Sequence, residues 1–232
     1  MEQKKKKMNI DRIKGVLFDM DGVLFDSMPL HARAWVMAFQ HVGMPFSEMD
    51  VYRNEGSRGS DTVQFAFRRE TGQECSKEEE TRIYQYKSRQ YQSFPEPEPM
   101  KGALDVVRTL KEHGVNMTVV TGSGEKTTID RLIRLFDGCF EREKLVTAMD
   151  VKTGKPHPEP YLKGLEKLGT KKEETIVIEN APMGIESGVA AGMFTIGVNT
   201  GPLDAKELAA AGANLVLGGM KELNEWLLKE ED

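Results

Sequence analysis

Residues Phe18–Asp26 read F-D-M-D-G-V-L-F-D and continue a short apolar run, Gly15–Phe18. If this run is a strand, its side chains alternate between two faces, so Asp19 and Asp21 leave on the same side. Two neighbouring carboxylates repel each other unless a cation neutralises them. Gly22 allows the backbone to turn sharply out of the sheet. The stretch therefore predicts either a strand end with two solvated acids or an acidic site that binds a cation.

Length and composition limit the class of protein. With 232 residues the chain can bury a core in one large domain or two small ones. The 32 basic and 37 acidic residues give a net charge of -5, which argues against a general nucleic-acid binder. Cys75 and Cys139 have neither metal-ligand nor disulfide-framework spacing, which favours a reducing compartment. No apolar run reaches the ~18 residues that span a bilayer, so we expect no membrane association.

The first residues carry four consecutive lysines, Lys4–Lys7. A signal peptide would continue with an apolar segment of roughly 7 to 15 residues, but polar residues interrupt it here. We therefore expect residues 1–8 to be a disordered basic tail. Together with the composition, this predicts a cytoplasmic protein.

Beyond the proline-rich segment Pro95–Pro99, short apolar runs alternate with helical patterns. The runs that predict buried strands are Met117–Val120, Leu145–Ala148, Thr175–Ile178, Thr195–Val198 and Leu215–Leu217. Strands that alternate with helices predict an α/β fold, in which a parallel sheet carries helices on both faces. Gly15–Phe18 has the same buried character and should join this sheet.

The residues between the first strand and Pro95–Pro99 show a different pattern. They are polar and have helical spacing, with helices expected over Met28–Val42, Thr62–Arg69 and Ser76–Gln92. We predict a small all-helical domain over residues 27–97, inserted into a core of residues 9–26 and 98–232. The prolines should form an extended, stiff connector between the two.

Two segments after predicted strands suggest phosphate binding. Thr121, Gly122 and Ser123 precede a helix, where hydroxyls and glycine amides form either an ordinary cap or a phosphate seat. Lys155 stands in a loop with two prolines close behind it. It is either a solvated surface charge or a fixed positive charge for a phosphate group, and the restricted loop favours the second interpretation.

Glu179 and Asn180 follow another predicted strand and supply hard oxygen donors, which suit Mg²⁺. Ligands collect at the carboxyl ends of the strands in parallel sheets. Glu179 and Asn180 should therefore lie close to Asp19.

These segments, taken in order, resemble the motifs of one family, the haloacid dehalogenase superfamily. Its four motifs are similar to Asp19-Met-Asp21-Gly, Thr121-Gly-Ser, Lys155-Pro and Glu179-Asn180. Within the family the chain resembles the beta-phosphoglucomutase-like branch, which has a helical cap inserted after the first strand. The resemblance implies a Rossmann-like core, a mobile cap and Mg²⁺-dependent phosphoryl transfer.

The resemblance also implies a role for each motif residue. Asp19 would attack phosphorus and form an aspartyl phosphate. Asp21 would protonate the leaving group and then take a proton from water. Thr121, the amides after it and Lys155 would stabilise the charge on the transferring oxygens.

Two departures from the family pattern concern the metal. The fourth motif usually ends in two acids, but its second position here is Asn180, and Glu55 stands where the mutases have a lysine before glycine. Either Glu55 is drift on a solvated helix end, or it supplies the missing carboxylate when the cap closes. On the second interpretation the Mg²⁺ ligands are Asp19, Asp21, Glu55, Asn180 and Glu179.

A cap carboxylate near the metal would shrink the chamber and repel a phosphate unless the metal lies between them. This favours a small chelating substrate, and the chain resembles the inorganic pyrophosphatases of this branch. His31, Arg58 and Lys87 are candidate partners of the leaving phosphate, although each could also be an ordinary cap residue. The alternative is a beta-phosphoglucomutase or a small sugar-phosphate phosphatase.

A catalytically silent, ligand-binding member of the family is a further alternative. Such a chain would be expected to lack one of the motif residues, whereas Asp19, Asp21, Thr121 and Lys155 are all present. We therefore expect an active enzyme that works as a monomer on a small phosphorylated substrate.

Overall fold

Five parallel strands form the centre of the molecule. The computed structural model describes residues 10–124, 126–136 and 138–229, so the basic tail predicted over residues 1–8 lies outside the described residues. The strands are β1 (Gly15–Phe18), β2 (Asn116–Val119), β3 (Thr175–Glu179), β4 (Phe194–Val198) and β5 (Leu215–Leu217). Their order is β2-β1-β3-β4-β5, and every neighbouring pair is parallel. The predicted α/β fold is confirmed.

The first strand is central because its residues can be buried on both faces. All four residues of β1 are buried, and β1 pairs with β2 on one side and β3 on the other. The carboxyl ends of β1, β2 and β3 therefore lie together at one edge. Asp19, which directly follows β1, stands at the middle of that edge.

One predicted strand is wrong. Leu145–Ala148 forms no strand, and Val146 makes only an isolated bridge with Val120. The segment leaves the sheet because Asp150 accepts hydrogen bonds from the backbone nitrogen and the hydroxyl of Thr147, both at 2.8 Å. This turn competes with continued pairing along the edge of β2.

The described residues contain ten α-helices. Four lie between β1 and the connector: α1 (Met28–His41), α2 (Glu48–Arg53), α3 (Gly59–Thr71) and α4 (Lys77–Gln92). The others follow the connector: α5 (Ala103–Glu112), α6 (Lys126–Leu135), α7 (Glu159–Leu168), α8 (Pro182–Ala190), α9 (Ala205–Ala210) and α10 (Met220–Leu227). Helix α2 was not predicted from the sequence, because it is only six residues long and its signal is a capping box between Ser47 and Asp50.

Helices α1 to α4, called the cap below, have a hydrophobic core of their own. It includes Trp35, Phe39, Phe46, Val63 and Ile83, and it is separate from the two clusters that flank the sheet. This agrees with an all-helical insertion, while the division at residues 27 and 97 stays a prediction.

The two chain crossings between the sheet and the cap lie side by side. The backbone nitrogen of Asp26 donates to Glu98 O at 3.0 Å, and that of Met100 donates to Leu24 O at 2.8 Å. Between these bonds Pro99 pairs antiparallel with Phe25, while residues 95–98 are in neither helix nor strand. Residues 95–98 thus lie outside regular secondary structure, while an extended, stiff connector stays a prediction.

Helix α7 packs closely on β1 and β2 at Gly164. A Cβ at this position would lie 2.8 Å from Val120 Cγ2 and 3.1 Å from Leu17 Cδ2. Only a residue without a side chain fits between helix and sheet here.

We expect Gly164→Ala to destabilise the protein by about 1–3 kcal/mol, because the added methyl overpacks the core. In an exposed helix the same change would stabilise the protein by roughly 1 kcal/mol. Urea unfolding of this variant and of Glu166→Ala, an exposed position on the same helix, measures the difference. A Gly164→Ala protein as stable as wild type would contradict this packing.

Candidate active site

Asp19 lies at the carboxyl edge of the sheet, where its backbone nitrogen donates to Ile178 O at 2.9 Å. The residue is only 4% exposed. The chain then turns back: Gly22, with φ +81°, donates to Phe25 O at 2.8 Å. This turn brings Asp21 to the same edge, as the spacing of the two acids predicts.

Lys155 is the positive partner of Asp19. Its ammonium group forms ion pairs with Asp19 and, at 2.7 Å, with Glu179 Oε1, and it also donates to Val120 O at 3.1 Å. The Lys155 side chain is 1% exposed. These contacts show a buried, fixed charge and not a solvated surface lysine, while the binding of a phosphate group by Lys155 stays a prediction.

Glu179 holds Lys155 in place. Its Oε1 accepts a second hydrogen bond from the Tyr161 hydroxyl at 2.7 Å, and its Oε2 accepts from the backbone nitrogens of Asn180 at 3.0 Å and Ala181 at 3.3 Å. These bonds occupy both oxygens. Glu179, predicted as a metal ligand, is therefore placed as the partner of Lys155 and not as an open ligand.

Tyr161 was missed from the sequence. It is fully buried on the first turn of α7 and belongs to a hydrophobic cluster, so its pattern is that of an ordinary core aromatic. Only the fold shows that its hydroxyl meets Glu179 and that its ring lies 5.0 Å from Lys155 Nζ.

Asp21 is held by groups from the start of the cap. Its Oδ1 accepts a hydrogen bond from the Ser27 hydroxyl at 2.6 Å and lies 3.2 Å from His31 Nε2. The other ring nitrogen of His31 lies 2.9 Å from Lys87 Nζ on α4. His31 and Lys87, both predicted to meet the leaving phosphate, thus form a chain that ends at Asp21.

This chain sets the ionisation of Asp21. Burial alone would raise the pKa of Asp21, but the charge and hydrogen bond of His31, the Ser27 hydroxyl and the charge of Lys87 lower it to about 2. Asp21 is therefore ionised in the closed, unloaded site.

Glu55 reaches from the cap to the core. It is 7% exposed, and its Oε1 accepts a hydrogen bond from Asn180 Nδ2 at 2.8 Å. Both groups lie against Gly22, where a Cβ would be 2.1 Å from Asn180 Nδ2 and 2.9 Å from Glu55 Oε1. These contacts exclude Glu55 as a solvated residue at a helix end in the closed form.

The phosphate-binding candidates after β2 are Thr121, Gly122 and Ser123. Thr121 Oγ1 accepts from the backbone nitrogen of Ser123 at 3.0 Å, and a Cβ on Gly122 would lie 3.0 Å from the carbonyl oxygens of Gly56 and Ser57. The seat after β2 therefore lies directly under the cap loop.

Arg58 points elsewhere, although it was predicted to bind the leaving phosphate. Its guanidinium donates to Asp61 at 2.8 and 3.0 Å and to Lys152 O at 2.6 Å. It does not line the cavity above Asp19 and Asp21, which the cap and core enclose together. In this structure Arg58 joins the cap to a core loop.

The cavity above the two aspartates is where a substrate would lie. From the cap it is lined by polar His31 and Lys87 and by the aromatic residues Trp35 and Tyr84, and Gly122 and Ser123 close it from the core side. The unreactive part of a substrate would therefore contact the cap.

The comparisons with known proteins identify the family. The model of the haloacid dehalogenase-like hydrolases matches residues 16–198 of the chain. The chain belongs to this family. The family that the sequence motifs predict is therefore confirmed, while the roles of the individual motif residues stay predictions.

Three relatives show the variety of this hydrolase's neighbours. Hexitol phosphatase A of Escherichia coli is 30% identical, and the match covers 91% of this chain and 94% of the relative. A phosphorylated carbohydrates phosphatase of Thermotoga maritima is 30% identical, with 94% and 99% covered. A structure from Bacteroides vulgatus, provisionally named a beta-phosphoglucomutase, is 48% identical with a TM-score of 0.89, covering 94% of this chain and 88% of that chain.

The charges of the site suit a bound cation. Four carboxyl groups, on Asp19, Asp21, Glu55 and Glu179, lie near one another, and Lys155 pairs with two of them, Asp19 and Glu179. Burial, with the charges of Glu179 and Asp21, outweighs Lys155 and raises the pKa of Asp19 to about 8, and burial raises that of Glu55 well above its usual range. The protons that these carboxyl groups bind reduce the negative charge of the site, as a bound divalent cation would.

One atom supports this further. Asn180 Oδ1 is buried beside these acids and has no hydrogen-bond partner. In the described part of the chain no group of three or more His, Cys, Asp and Glu side chains is arranged as a metal site. A cation would therefore need the Asn180 oxygen and backbone oxygen as well as carboxylates, and this donor set fits Mg²⁺.

We expect Mg²⁺ binding at pH 7 to release protons. Burial raises the pKa of both Asp19 and Glu55 in the unloaded fold, so these carboxyl groups hold protons at a higher pH than usual, and binding of a cation displaces them. Titration calorimetry in two buffers with different ionisation enthalpies measures the release. Equal heats in both buffers would contradict the expectation, and Asp19→Asn should release fewer protons.

Proposed function

We propose that this protein is a Mg²⁺-dependent phosphohydrolase with Asp19 as nucleophile, and that it acts on small phosphorylated carbohydrates. The observation that carries the chemistry is the buried contact of Asp19 with Lys155 beside the Thr121 seat. A carboxylate and an ammonium held together in this way suit the attack on a phosphoryl group and the binding of its oxygens.

In the first step Asp19 forms a bond to phosphorus while the bond to the leaving oxygen breaks. The leaving oxygen takes a proton from Asp21. Lys155, Thr121 and the amides after it bind the other phosphoryl oxygens and stabilise their charge. The product of this step is an aspartyl phosphate and a free alcohol.

In the second step water attacks the same phosphorus, the bond between phosphorus and the Asp19 carboxylate oxygen breaks, and Asp21 takes the proton of the water. Asp19 and inorganic phosphate are thereby released. The ionised Asp21 of the unloaded site is in the state that this step needs, because its pKa is about 2. The first step needs the protonated form, and a phosphate dianion beside the carboxyl raises its pKa.

Mg²⁺ would be held by Asp19, the backbone carbonyl of Asp21 and Asn180 Oδ1, with Glu55 facing the same place from the cap. Bound there, the ion would reduce the repulsion between the Asp19 carboxylate and an anionic substrate. The chain's own part is to keep the carboxylates together and to exclude bulk water through closure of the cap.

The proposed substrate class rests on the relatives and the cavity. Two curated relatives are named for phosphorylated hexitols or carbohydrates. The cavity presents the flat faces of Trp35 and Tyr84 together with polar His31 and Lys87, a mixture suited to a polyol with apolar and hydroxylated faces.

Pyrophosphate, favoured on the sequence alone, is the second candidate. The relatives do not favour it, since the Escherichia, Thermotoga and Bacteroides proteins are named for carbohydrate phosphatase or mutase activity. The observation in its favour is the contact of Glu55 with Asn180, whose Nδ2 donates to Glu55 Oε1 at 2.8 Å. If Glu55 replaces the carboxylate that is missing at position 180, the two side chains must lie close together in this way.

We expect Asp19→Asn to abolish hydrolysis of every substrate, because an amide does not attack phosphorus. The protein should remain folded, since Asn keeps the size of the side chain and Lys155 retains its ion pair with Glu179. Asp26→Asn, which alters an exposed acid of the same stretch, is the control and should leave turnover unchanged. Phosphate release with Mg²⁺ is the measurement, and turnover by Asp19→Asn would refute the assignment of the nucleophile.

A substrate panel decides between the candidates. We expect hexitol 6-phosphates and hexose phosphates to be hydrolysed with a higher kcat/KM than pyrophosphate. Beta-glucose 1-phosphate, followed by its conversion to glucose 6-phosphate, tests mutase activity. A preference for pyrophosphate would reject the carbohydrate proposal in favour of the second candidate.

The same panel on Glu55→Ala tests the cap acid. If Glu55 shares the cation with Asn180, the Mg²⁺ concentration for half-maximal activity should rise by about tenfold, equivalent to one lost charge-assisted contact. Glu48→Ala removes an exposed acid of the neighbouring α2 and should have no effect. An unchanged Mg²⁺ requirement in Glu55→Ala would separate Glu55 from the metal.

A further inference from the structure

The loop after β4, residues 199–204, contacts two parts of the molecule that the mechanism uses separately. It begins at the sheet, where the backbone nitrogen of Asn199 donates to Leu217 O at 2.7 Å and that of Thr200 donates to Val198 O at 2.9 Å. None of its residues belongs to the family motifs described above. Its contacts nevertheless lead to both Asp21 and the cap.

One end of the loop holds the catalytic turn. The Thr200 hydroxyl donates to the carbonyl oxygen of Gly22 at 2.6 Å. Gly22 directly follows Asp21, and its own nitrogen is bonded to Phe25 O. Thr200 therefore fixes the peptide group that follows Gly22, one residue beyond Asp21.

The other end is inserted into the cap. Gly201, Pro202 and Asp204 are exposed, whereas Leu203 is 5% exposed. The cluster that buries Leu203 otherwise consists of cap residues, among them Trp35 and Tyr52. Leu203 therefore anchors the exposed loop in the hydrophobic core of the cap, because withdrawing its side chain would expose apolar surface to water.

Neighbouring contacts continue the same interface. The Tyr52 ring lies 3.6 Å from where a Cβ on Gly201 would be, and Arg53 Nε lies 3.2 Å from Glu207 Oε2 on α9. The Arg53 side chain is 55% exposed, so this ion pair contributes little free energy. The stabilising contact of this interface is the burial of Leu203.

The two ends are close along the chain. Thr200 and Leu203 are three residues apart, a reach of at most about 10 Å. Pro202 fixes its own φ and restricts Gly201 before it. A loop this short and stiff does not move at Leu203 without moving at Thr200.

We propose that residues 199–204 form a clasp that couples closure of the cap to the alignment of Asp21. Leu203 holds the cap closed, and Thr200 holds the Asp21–Gly22 turn in the position that the closed cavity requires. Both are positioning residues, since neither reaches the cavity. The link to Asp21 rests on the proposed function, whereas the link to the cap does not.

The cap half of the clasp is tested without any substrate. In a Trp226→Phe background Trp35 is the only tryptophan, and acrylamide quenching of its fluorescence measures access to the cavity. We expect Leu203→Ala to increase the quenching constant about twofold or more and Leu203→Met, which keeps the volume, to restore it. Leu104→Ala, at an exposed core leucine, is the matched control. Quenching unchanged in Leu203→Ala would overturn the clasp.

The coupling is tested by a double-mutant cycle on hydrolysis of a substrate found by the panel. Leu203→Ala and Thr200→Val should each lower kcat/KM by about tenfold, with Thr200→Val acting on kcat and Thr200→Ser restoring it. If the residues act as one unit, the double variant should lose about tenfold as well. Independent losses that multiply to about a hundredfold would overturn the coupling.

The outcomes separate the clasp from the proposed function. Should Leu203→Ala fail to fold, Leu203→Val shortens the same buried side chain by one methylene, and unchanged quenching in that variant would overturn the clasp. If wild type hydrolyses no phosphate ester or pyrophosphate, the proposed function fails. The quenching result then still decides whether Leu203 holds the cap.

Discussion

The buried contact of Lys155 with Asp19 and Glu179 is the interaction on which the site depends. Removing one partner of such a group leaves an uncompensated charge in the interior, which costs about 3–5 kcal/mol. The surrounding structure is arranged to avoid this. The Tyr161 hydroxyl and two backbone nitrogens at the start of α8 bind Glu179, and Gly184 is required beside it, since a Cβ there would lie 1.7 Å from Glu179 Oε1.

The cap completes a site that the core only begins. The core supplies more negative charge than Lys155 balances, and the cap answers with two opposite kinds of group. His31 and Lys87 bring positive charge to Asp21, while Glu55 adds a further acid beside Asn180. The pKa of Asp21 therefore depends on its contacts with the cap. This arrangement also explains why the substrate is harder to infer than the reaction. Asp19, Thr121 and Lys155 handle a phosphoryl group, which any substrate of the family would share, whereas the cap residues favour different leaving groups: the aromatic faces suit a carbohydrate and the acid suits a metal chelate.

The sequence alone determined the α/β class, the order of the motifs and the acids at the end of β1, because burial alternation and glycine turns are local properties. It misplaced a strand at Leu145–Ala148, since the turn between Thr147 and Asp150 outweighs β propensity there. It missed Tyr161 and Leu203, whose apolar patterns do not distinguish a core residue from a residue at the site.

Tertiary structure decided which of the predicted residues meet. It placed Arg58 on Asp61 instead of in the cavity, assigned both oxygens of Glu179 to other partners, and brought Glu55 to Asn180 across 125 positions of sequence. The physical reason is that a buried charged side chain must be hydrogen-bonded. The packing of the cap against the core decides which partners are within reach. At Phe18–Asp26 the local sequence therefore specifies two acids and a turn, and the fold specifies that one acid faces a lysine and the other a histidine.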